Sequence, residues 1–338
     1  MKAAILSDVC KIDIKEIEKP KIKQNEVLIR VKSTGICGSD LHAYRGHHPF
    51  RKPPVILGHE VSGIVEEIGS VVKNIKIGDR VTVEPQSGCG ECEYCLVGKY
   101  NLCINRRAPG IGNWNGTFAE YFVAPERVVY KLTDKVSYNE GALIEPLAVG
   151  VHAVRQSGIK LGDSVAILGA GTIGLMSLIA AKHAGATKIF ITDFLDYNLE
   201  KAKKLGADYV INPYLENVSE KIKEISPYGV NKVVITAAFK TVWEEALSVS
   251  KKGANICIVG MFGEEVQVDF LDMLMAEKSI KTSWLYLRED FITAIEIAKK
   301  ISLDLLITHK LSLDEASEGL KIMDERKGNV IKIILDVG

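Results

Sequence analysis

The sequence predicts an α/β protein with two domains, a β-rich domain followed by a doubly wound parallel sheet. The chain has 338 residues, whereas domains average about 150 residues. In its middle, short β-branched runs alternate with helical segments, which implies right-handed crossovers between parallel strands. The predicted strands are Val165–Leu168, Lys188–Thr192, Tyr209–Ile211, Lys232–Ile235, Ile256–Val259 and Ile280–Trp284. The predicted helices between them are residues 172–184, 196–205, 216–226, 240–251 and 269–276.

The two ends of the chain have a different pattern. In residues 1–147, glycine-bounded runs at Glu26–Lys32, Val61–Ile68 and Arg80–Val83 predict short antiparallel strands. The last part predicts two helices and a closing strand, at Asp290–Ile301, Leu313–Asp324 and Val330–Leu335. We therefore predict three segments, residues 1–147, 148–286 and 287–338.

The composition excludes several classes of protein. Hydrophobic residues make up 47% and charged residues 25% of the chain, which is too apolar for a disordered protein. Lys plus Arg and Asp plus Glu both total 43, so a nucleic-acid partner or an anionic membrane surface is not expected. The first residues interleave charges with short apolar runs and lack the apolar core of a signal peptide. We expect a soluble cytoplasmic protein.

One uncharged stretch, Ser164–Ala181, has nearly the length of a membrane span. Glycines at positions 169, 171 and 174 interrupt it where a strand would turn into a helix. A buried strand followed by a buried helix has the same hydropathy, and we predict that arrangement.

Those glycines form a dinucleotide fingerprint, with Gly169, Gly171, Thr172, Ile173 and Gly174 as the predicted cofactor-binding residues. The glycines permit a tight turn, close approach of the backbone to a pyrophosphate, and packing of the helix on the strand. Asp193 ends the next predicted strand, at the spacing expected of a partner for the ribose 2′-hydroxyl. A carboxylate there repels a 2′-phosphate and no arginine follows closely, so we predict NAD rather than NADP as cofactor.

Four of the seven cysteines lie within residues 88–103, at Cys89, Cys92, Cys95 and Cys103. In a cytosolic protein such clustering indicates metal binding rather than disulfides. Closed all-cysteine zinc sites are structural. A nucleic-acid zinc ribbon would have wider spacing and basic surroundings, so we predict a local structural zinc site.

A second candidate metal site is dispersed along the chain, at Cys37, His59 and one or both of Glu60 and Glu145. Catalytic zinc has three protein ligands and one open position. Spacing alone leaves the alternative open that Cys37 is a small buried residue and that His59 and Glu60 are ordinary polar residues.

The motif Gly58-His59-Glu60-x2-Gly63-x5-Gly69-x2-Val72 resembles the zinc signature of the medium-chain alcohol dehydrogenase family. Gly78-Asp79-Arg80-Val81, the four cysteines and the dinucleotide fingerprint follow in that family's order, so the similarity spans essentially the whole chain. The resemblance implies a GroES-like catalytic domain completed by the C-terminal segment, a Rossmann domain, and an active site in the cleft between them.

Within that family, Glu145-Pro146 is similar to polyol dehydrogenases of the sorbitol dehydrogenase type, whereas liver-type enzymes have a cysteine at the position of Glu145. This implies a catalytic zinc held by Cys37, His59 and Glu60, with Glu145 binding it directly or through water. The implied reaction is oxidation of a secondary alcohol of a polyol or sugar derivative with hydride transfer to NAD. A butanediol-type or threonine-type dehydrogenase, or a zinc and dinucleotide sensor without turnover, stays as the alternative.

The resemblance also implies roles for residues around Cys37. Ser39 and His42 match the family's proton relay through the cofactor ribose, Glu60 counts among the catalytic residues, and Tyr44 flanks the substrate. For Ser39 the alternative is a helix-capping hydroxyl. The chain departs from the family at Asn198, where many NAD-using members have Lys or Arg, so we expect weaker cofactor affinity or a contact supplied elsewhere in the chain.

A sheet edge near residues 280–285 makes a homo-oligomer, a dimer or a tetramer, plausible. The partner is expected to be a small-molecule polyol. Zinc is expected at two sites per chain, one catalytic and one structural.

Overall fold

The computed structural model describes residues 1–325 and 328–338, which divide into two compact units. Unit 1 consists of Met1–Glu145 and Ala298–Gly338, and unit 2 consists of Pro146–Ile297. Unit 1 is therefore assembled from both ends of the chain, whereas unit 2 is continuous in sequence.

The N-terminal part of unit 1 consists mainly of strands. Its elements are β1 (Lys2–Asp8), β2 (Lys11–Glu16), β3 (Glu26–Ile36), α1 (Gly38–Tyr44), β4 (Val55–Ile56), β5 (Glu60–Ile68), β6 (Arg80–Val83), α2 (Glu93–Leu96), β7 (Tyr121–Pro125), β8 (Val129–Lys131) and α3 (Tyr138–Ala142).

Strands and helices then alternate through the middle of the chain. The elements are α4 (Ile144–Ser157), β9 (Ser164–Leu168), α5 (Thr172–His183), β10 (Lys188–Thr192), α6 (Asp196–Lys204), β11 (Tyr209–Ile211), α7 (Val218–Ile225), β12 (Val230–Ile235), α8 (Val242–Val249), β13 (Ser250–Ile258), α9 (Phe270–Met275), β14 (Ser279–Thr282) and α10 (Arg288–Ala298). The C-terminal segment adds β15 (Ile307–Ser312), α11 (Ala316–Asp324) and β16 (Lys332–Asp336).

Unit 2 contains a parallel six-stranded sheet in the order β11-β10-β9-β12-β13-β14. This order confirms the predicted doubly wound sheet. Strand β13 begins earlier than predicted because Ser250 already pairs with Val230 of β12, so the helix before it ends at Val249. The sheet's core is apolar and includes Leu168, Phe190 and Ile235.

The uncharged stretch at 164–181 forms β9 and most of α5, both largely buried. Among residues 1–325 and 328–338, no helix combines the length and the hydrophobicity that crossing a bilayer requires. The interpretation of this stretch as strand and helix is therefore confirmed.

In unit 1 the C-terminal segment adds two strands to the main sheet. That sheet has the order β15-β16-β3-β5-β6-β8, and β7 also pairs with β3. Strand β3 extends beyond its predicted end at Lys32 to Ile36, which lies opposite Ile333 of β16. The pairing brings the end of the chain beside Cys37, the first residue after β3.

Candidate functional site

The glycine fingerprint forms a tight turn between β9 and α5. Gly169 has a φ of +105°, a conformation that glycine adopts without strain. A Cβ atom on Gly174 would lie 1.9 Å from the carbonyl oxygen of Gly169. Gly171 precedes the first helical residue, Thr172, with extended backbone. A glycine turn of this kind directly before a helix N-terminus is typical of an anion-binding site.

Asp193 directly follows β10 and is hydrogen-bonded to the glycine turn. Its Oδ2 atom accepts a hydrogen bond from the N–H of Ala170 at 2.8 Å, and its Oδ1 atom accepts one from the N–H of Leu195 at 2.9 Å. A carboxylate oxygen has two lone pairs, so each oxygen can still accept a hydroxyl. The sequence prediction placed this residue by spacing alone, and the structure places it against the fingerprint.

Asn198 lies on α6 and is buried. Its Oδ1 atom has no hydrogen-bond partner among the described residues. A buried amide at this position supplies no positive charge, so any cation for the adenosine end of a dinucleotide would have to come from elsewhere in the chain.

The four clustered cysteines converge in one lobe of unit 1. Their Sγ atoms all lie within 4.8 Å of one another, and those of Cys89 and Cys95 are 3.9 Å apart. Helix α2 carries Cys95, and a short 3-10 turn at Tyr100–Leu102 leads to Cys103. Four thiols at this separation match the donor set of a closed zinc site.

The backbone of the lobe favours thiolate. The N–H groups of Glu91 and Cys92 lower the pKa of the Cys89 thiol to about 6. For Cys95, a hydrogen bond from Gly90 lowers the pKa, but desolvation and the other three thiols outweigh it and raise the pKa to about 12. Four thiols this close do not all ionise on their own, and a divalent cation removes that obstacle.

The second group consists of Cys37, His59 and Glu60, which also lie within 4.8 Å of one another by their ligand atoms. Cys37 is the residue before α1, and His59 and Glu60 stand where β5 begins. His59 is 7% exposed and its Nδ1 atom has no hydrogen-bond partner among the described residues. A thiol, an imidazole and a carboxylate form a mixed donor set that suits zinc.

Asp40 contacts two members of this group, Cys37 and His59, and its side chain is 0% exposed. Its Oδ2 atom accepts the N–H of Cys37 at 3.0 Å and its Oδ1 atom accepts the N–H of Gly58 at 3.1 Å. Oδ1 is also 3.5 Å from Nδ1 of His59. Burial raises the pKa of Asp40, but His59, Arg51 and the Cys37 N–H together lower it to about 2. Burial lowers the pKa of His59, but Asp40 and Cys37 raise it well above its usual value.

Lys332 of β16 is one of the residues that the sequence analysis missed, together with Asp40 and Arg51. It is 2% exposed, and its Nζ atom donates to both carboxylate oxygens of Glu60, at 2.7 and 2.8 Å, and to the carbonyl of Ile36 at 3.1 Å. Burial lowers the pKa of Lys332, but the charges of Glu60 and Cys37 raise it above its usual value. A charged residue inside the apolar run Val330–Leu335 was the available signal, because a lysine there needs a buried partner.

Glu145 is buried in the first turn of α4 and lies outside the group of three ligand atoms. Its charge also raises the pKa of Lys332. Gly35 leaves the space for Glu60, since a Cβ atom on Gly35 would lie 1.9 Å from the Oε2 atom.

Helix α1 carries the other three predicted site residues. Ser39 is half-buried and accepts a hydrogen bond from Nη1 of Arg51 at 2.9 Å, whereas His42 is exposed in the last turn. Tyr44 is 3% exposed and packs in an apolar cluster with Leu6 and Phe118. The structure places Tyr44 in the core of unit 1, and the predicted substrate contact stays a prediction.

Comparisons with known proteins agree with this architecture. Residues 23–134 match the family model of the alcohol dehydrogenase GroES-like domain, and residues 172–300 match that of the zinc-binding dehydrogenases. The predicted GroES-like domain and Rossmann-type domain are thereby confirmed.

Three similar proteins cover nearly the whole chain. Sorbitol dehydrogenase of Bacillus subtilis is 35% identical over 99% of this chain and 97% of its own length. D-xylulose reductase of Saccharomyces cerevisiae is 36% identical, again over 99% of this chain and 97% of its own. A solved structure from Sinorhizobium meliloti, described as a zinc-binding dehydrogenase bound to NADP, is 34% identical with a TM-score of 0.94 and covers 99% of both chains. The chain therefore belongs to the zinc-containing medium-chain alcohol dehydrogenase family, on its polyol dehydrogenase branch.

Proposed function

We propose that this enzyme oxidises a secondary hydroxyl of a polyol or sugar-derived alcohol to a ketone, with a zinc ion at Cys37, His59 and Glu60 and with NAD as hydride acceptor. The observation that carries the proposal is the convergence of those three ligand atoms within 4.8 Å, supported by the buried charges of Asp40 and Lys332. Sugar alcohols are the proposed substrate class because the relatives named above are a sorbitol dehydrogenase and a D-xylulose reductase.

The donor set supports zinc at both groups. When bound at the mixed group, zinc supplies a Lewis acid that makes a substrate hydroxyl more acidic. Cys37, His59 and Glu60 would hold it. The Nδ1 atom of His59 has no hydrogen-bond partner among the described residues and lies 3.5 Å from Oδ1 of Asp40, so the carboxylate is placed to orient the imidazole. Glu145 is proposed to bind directly or through water. Cys89, Cys92, Cys95 and Cys103 would hold a structural zinc.

Lys332 determines how Glu60 can act. With both oxygens bonded to one ammonium, the carboxylate keeps lone pairs free for a cation. The pair also neutralises a charge that would be costly to bury alone. We therefore assign Lys332 to holding the Glu60 carboxylate in place beside the ion.

The substrate proton must leave as the hydroxyl is oxidised. Ser39 is proposed to accept that proton and His42 to pass it on, since imidazole exchanges protons near neutral pH. His42 is exposed at the end of α1, which suits transfer to solvent. His48 is unsuited to this step, because burial and the charge of Arg51 lower its pKa to about 4.

For the cofactor, we propose that the pyrophosphate binds at the turn from Gly169 to Gly174 and that Asp193 accepts the ribose hydroxyls. NAD supplies the hydride acceptor in this reaction. Asp193 disfavours a 2′-phosphate by charge, although the relative from Sinorhizobium meliloti is described with NADP bound.

A homo-oligomer is proposed through β14, which forms an edge of the parallel sheet with all four residues exposed. Ile280 and Trp284 add apolar surface there. Parallel sheets are normally covered, so an open edge favours a second copy. Thiolate zinc sites remain reduced in the cytoplasm, where we place the protein.

The test is NADH formation, followed by absorbance, on a panel of pentitols, hexitols, sugar acids, butanediol and threonine. We expect turnover of a polyol by the wild type and a loss of about a thousandfold in Cys37→Ser, since a Lewis acid contributes several kcal/mol and each tenfold costs about 1.4 kcal/mol. The variant should keep one zinc per chain. Unchanged activity in Cys37→Ser would refute the zinc assignment, and turnover of no alcohol by zinc-loaded enzyme would favour the sensor alternative.

A further inference from the structure

Arg51 is a buried residue whose guanidinium lies beside the proposed relay. It lies in the loop between α1 and β4 and is 6% exposed. Its Nε atom donates to the carbonyl of Pro109 at 3.1 Å, and its Nη1 atom donates to Oγ of Ser39 at 2.9 Å. The same Nη1 atom is 3.6 Å from Oδ1 of Asp40. Arg51 thus joins a second loop to the start of α1 at Ser39.

The direction of the bond to Ser39 is fixed by chemistry. A guanidinium has only donors, so Ser39 must be the acceptor. One lone pair of the Ser39 oxygen is used by Arg51, which leaves the other lone pair to accept and the O–H to donate elsewhere. A hydroxyl held in this way cannot turn its hydrogen toward Arg51.

The loop geometry preserves this arrangement. Gly110 has a φ of +76°, and a Cβ atom added there would lie 3.1 Å from Nε of Arg51. The backbone N–H of Arg51 donates to Nδ1 of His48 at 3.0 Å. Hydrogen bonds therefore fix both the backbone and the side chain of Arg51.

We propose that Arg51 is a positioning residue for the proton relay: it keeps the Ser39 hydroxyl oriented to accept the substrate proton and to donate its own. This inference rests on the proposed function of Ser39. In the step, the substrate O–H bond breaks and its proton binds the free lone pair of Ser39, while the original Ser39 proton leaves to the relay that ends on His42. No net charge stays on Ser39, and the electron pair of the substrate C–H bond leaves as hydride to NAD.

The test is a double-mutant cycle with Arg51→Met, Ser39→Ala and the combined variant. A hydrogen bond from a charged donor corresponds to about a ten- to hundredfold change, so Arg51→Met should lower kcat by that factor and change KM by less than about threefold. Ser39→Ala should lower kcat by about a hundredfold. If Arg51 acts through Ser39, the combined variant is no slower than Ser39→Ala, within about twofold.

Controls separate orientation from structural damage. Zinc content by mass spectrometry and NAD binding by fluorescence should stay at wild-type values in all three variants. The solvent deuterium isotope effect on kcat should rise in Arg51→Met, because proton transfer becomes the slower step, and it should not rise further when Ser39 is also removed. Arg51→Lys keeps the charge but not the planar fork, so it should lie between wild type and Arg51→Met. If Arg51→Met does not fold, Arg51→Lys replaces it in the cycle.

Losses that multiply in the combined variant would overturn the proposal for Arg51 while leaving the relay intact. Full activity in Ser39→Ala would overturn the relay and with it this inference, whereas the zinc assignment is decided separately by Cys37→Ser. Full activity in Arg51→Met would also overturn it.

Discussion

The two metal groups of unit 1 are built in opposite ways. The four-cysteine group takes all its donors from fifteen consecutive residues, Cys89–Cys103, and all are thiols. The mixed group takes Cys37 from the end of β3 and His59 and Glu60 from the start of β5, and it depends on Lys332 from the far end of the chain. A local site holds its own lobe together, whereas a dispersed site requires the sheet to be complete.

The surroundings differ as well. Around the cysteines, backbone N–H groups provide the electrostatic support, as for Cys89. Around the mixed group, buried side-chain charges provide the electrostatic support. Asp40 lies beside Cys37 and His59, and Lys332 is paired with Glu60. A closed thiolate site suits a structural ion, and a charged, mixed site suits an ion that acts on a substrate.

The largest expected effect is the loss of stability when a cysteine of the four-cysteine lobe is replaced, and this effect distinguishes the lobe from the mixed group. Cys92→Ser should release the lobe zinc and lower the free energy of unfolding by on the order of 5 kcal/mol, since structural zinc sites couple directly to folding. Below its unfolding temperature the variant should keep turnover within about twofold, unlike Cys37→Ser. Calorimetry with a zinc count checks this. Retention of two zinc ions and of the wild-type unfolding temperature would contradict the structural role.

A second prediction concerns the mixed group of Cys37, His59 and Glu60. In zinc-stripped protein, Lys332→Met leaves Glu60 buried without a partner and should destabilise unit 1 by about 3–5 kcal/mol. Lys332→Arg is the matched control and should lower the free energy of unfolding by less than Lys332→Met, because it keeps the positive charge. Urea unfolding measures both. Equal stability of the Met variant and the wild type would show that the ion pair does not hold the carboxylate.

Asp193 offers a smaller effect in unit 2. Asp193→Ser should raise the Kd for NAD by about ten- to hundredfold, because hydrogen bonds to a charged acceptor contribute about 1.5–3 kcal/mol. NADP binding should weaken less, so the preference for NAD falls. Asp196→Ser is the control, because the Asp196 carboxylate is bonded to Asn212 and not to the glycine turn. This variant should leave the ratio of the NAD and NADP affinities unchanged. Equal loss for both cofactors in Asp193→Ser would refute selection by this carboxylate.

The smallest effect tests how the returning segment is held. Glu140 accepts hydrogen bonds from the Leu303 N–H at 2.9 Å and the Ser302 hydroxyl at 3.0 Å. Burial raises its pKa, but bonds from Ser137, Leu303 and Ser302 outweigh burial and lower the pKa. Because the pKa of Glu140 is lowered in the folded protein, ionised Glu140 stabilises the fold at pH values above the pKa of glutamate in the unfolded chain. That stability is lost as the pH falls through the folded-state pKa.

Glu140→Gln should therefore destabilise the protein by about 1 kcal/mol at neutral pH. The difference from wild type should shrink toward zero below about pH 4. Urea midpoints at several pH values measure it. A difference that does not change with pH would assign the effect to packing rather than to charge.

Features encoded within a short stretch of sequence could be predicted. The strands Lys188–Thr192, Tyr209–Ile211 and Arg80–Val83 have the predicted bounds, because each is a short β-branched run between turn residues. The four cysteines and the glycine turn were found for the same reason, since their geometry depends on spacing within one segment.

Features that depend on distant segments could not be predicted from spacing, and the mixed group of Cys37, His59 and Glu60 was expected only through the family resemblance. Lys332 pairs with Glu60 across 272 residues, and only the pairing of β16 with β3 brings them together. Arg51 and Asp40 were missed because their roles come from burial beside Ser39 and His59, not from a motif. Tyr44 was expected at the substrate on family resemblance, and the burial of its side chain in the cluster that includes Leu6 and Phe118 could not be foreseen from the sequence.

We expect a metal ion at the mixed group as well as in the four-cysteine lobe. The direct measurement is anomalous diffraction at the zinc absorption edge from crystals of the purified protein with NAD. We expect two peaks per chain, one among the four cysteine sulfurs and one within about 2.0–2.4 Å of the ligand atoms of Cys37 and His59. A peak in the lobe and none at the mixed group, in crystals of enzyme that turns over a polyol, would contradict this expectation.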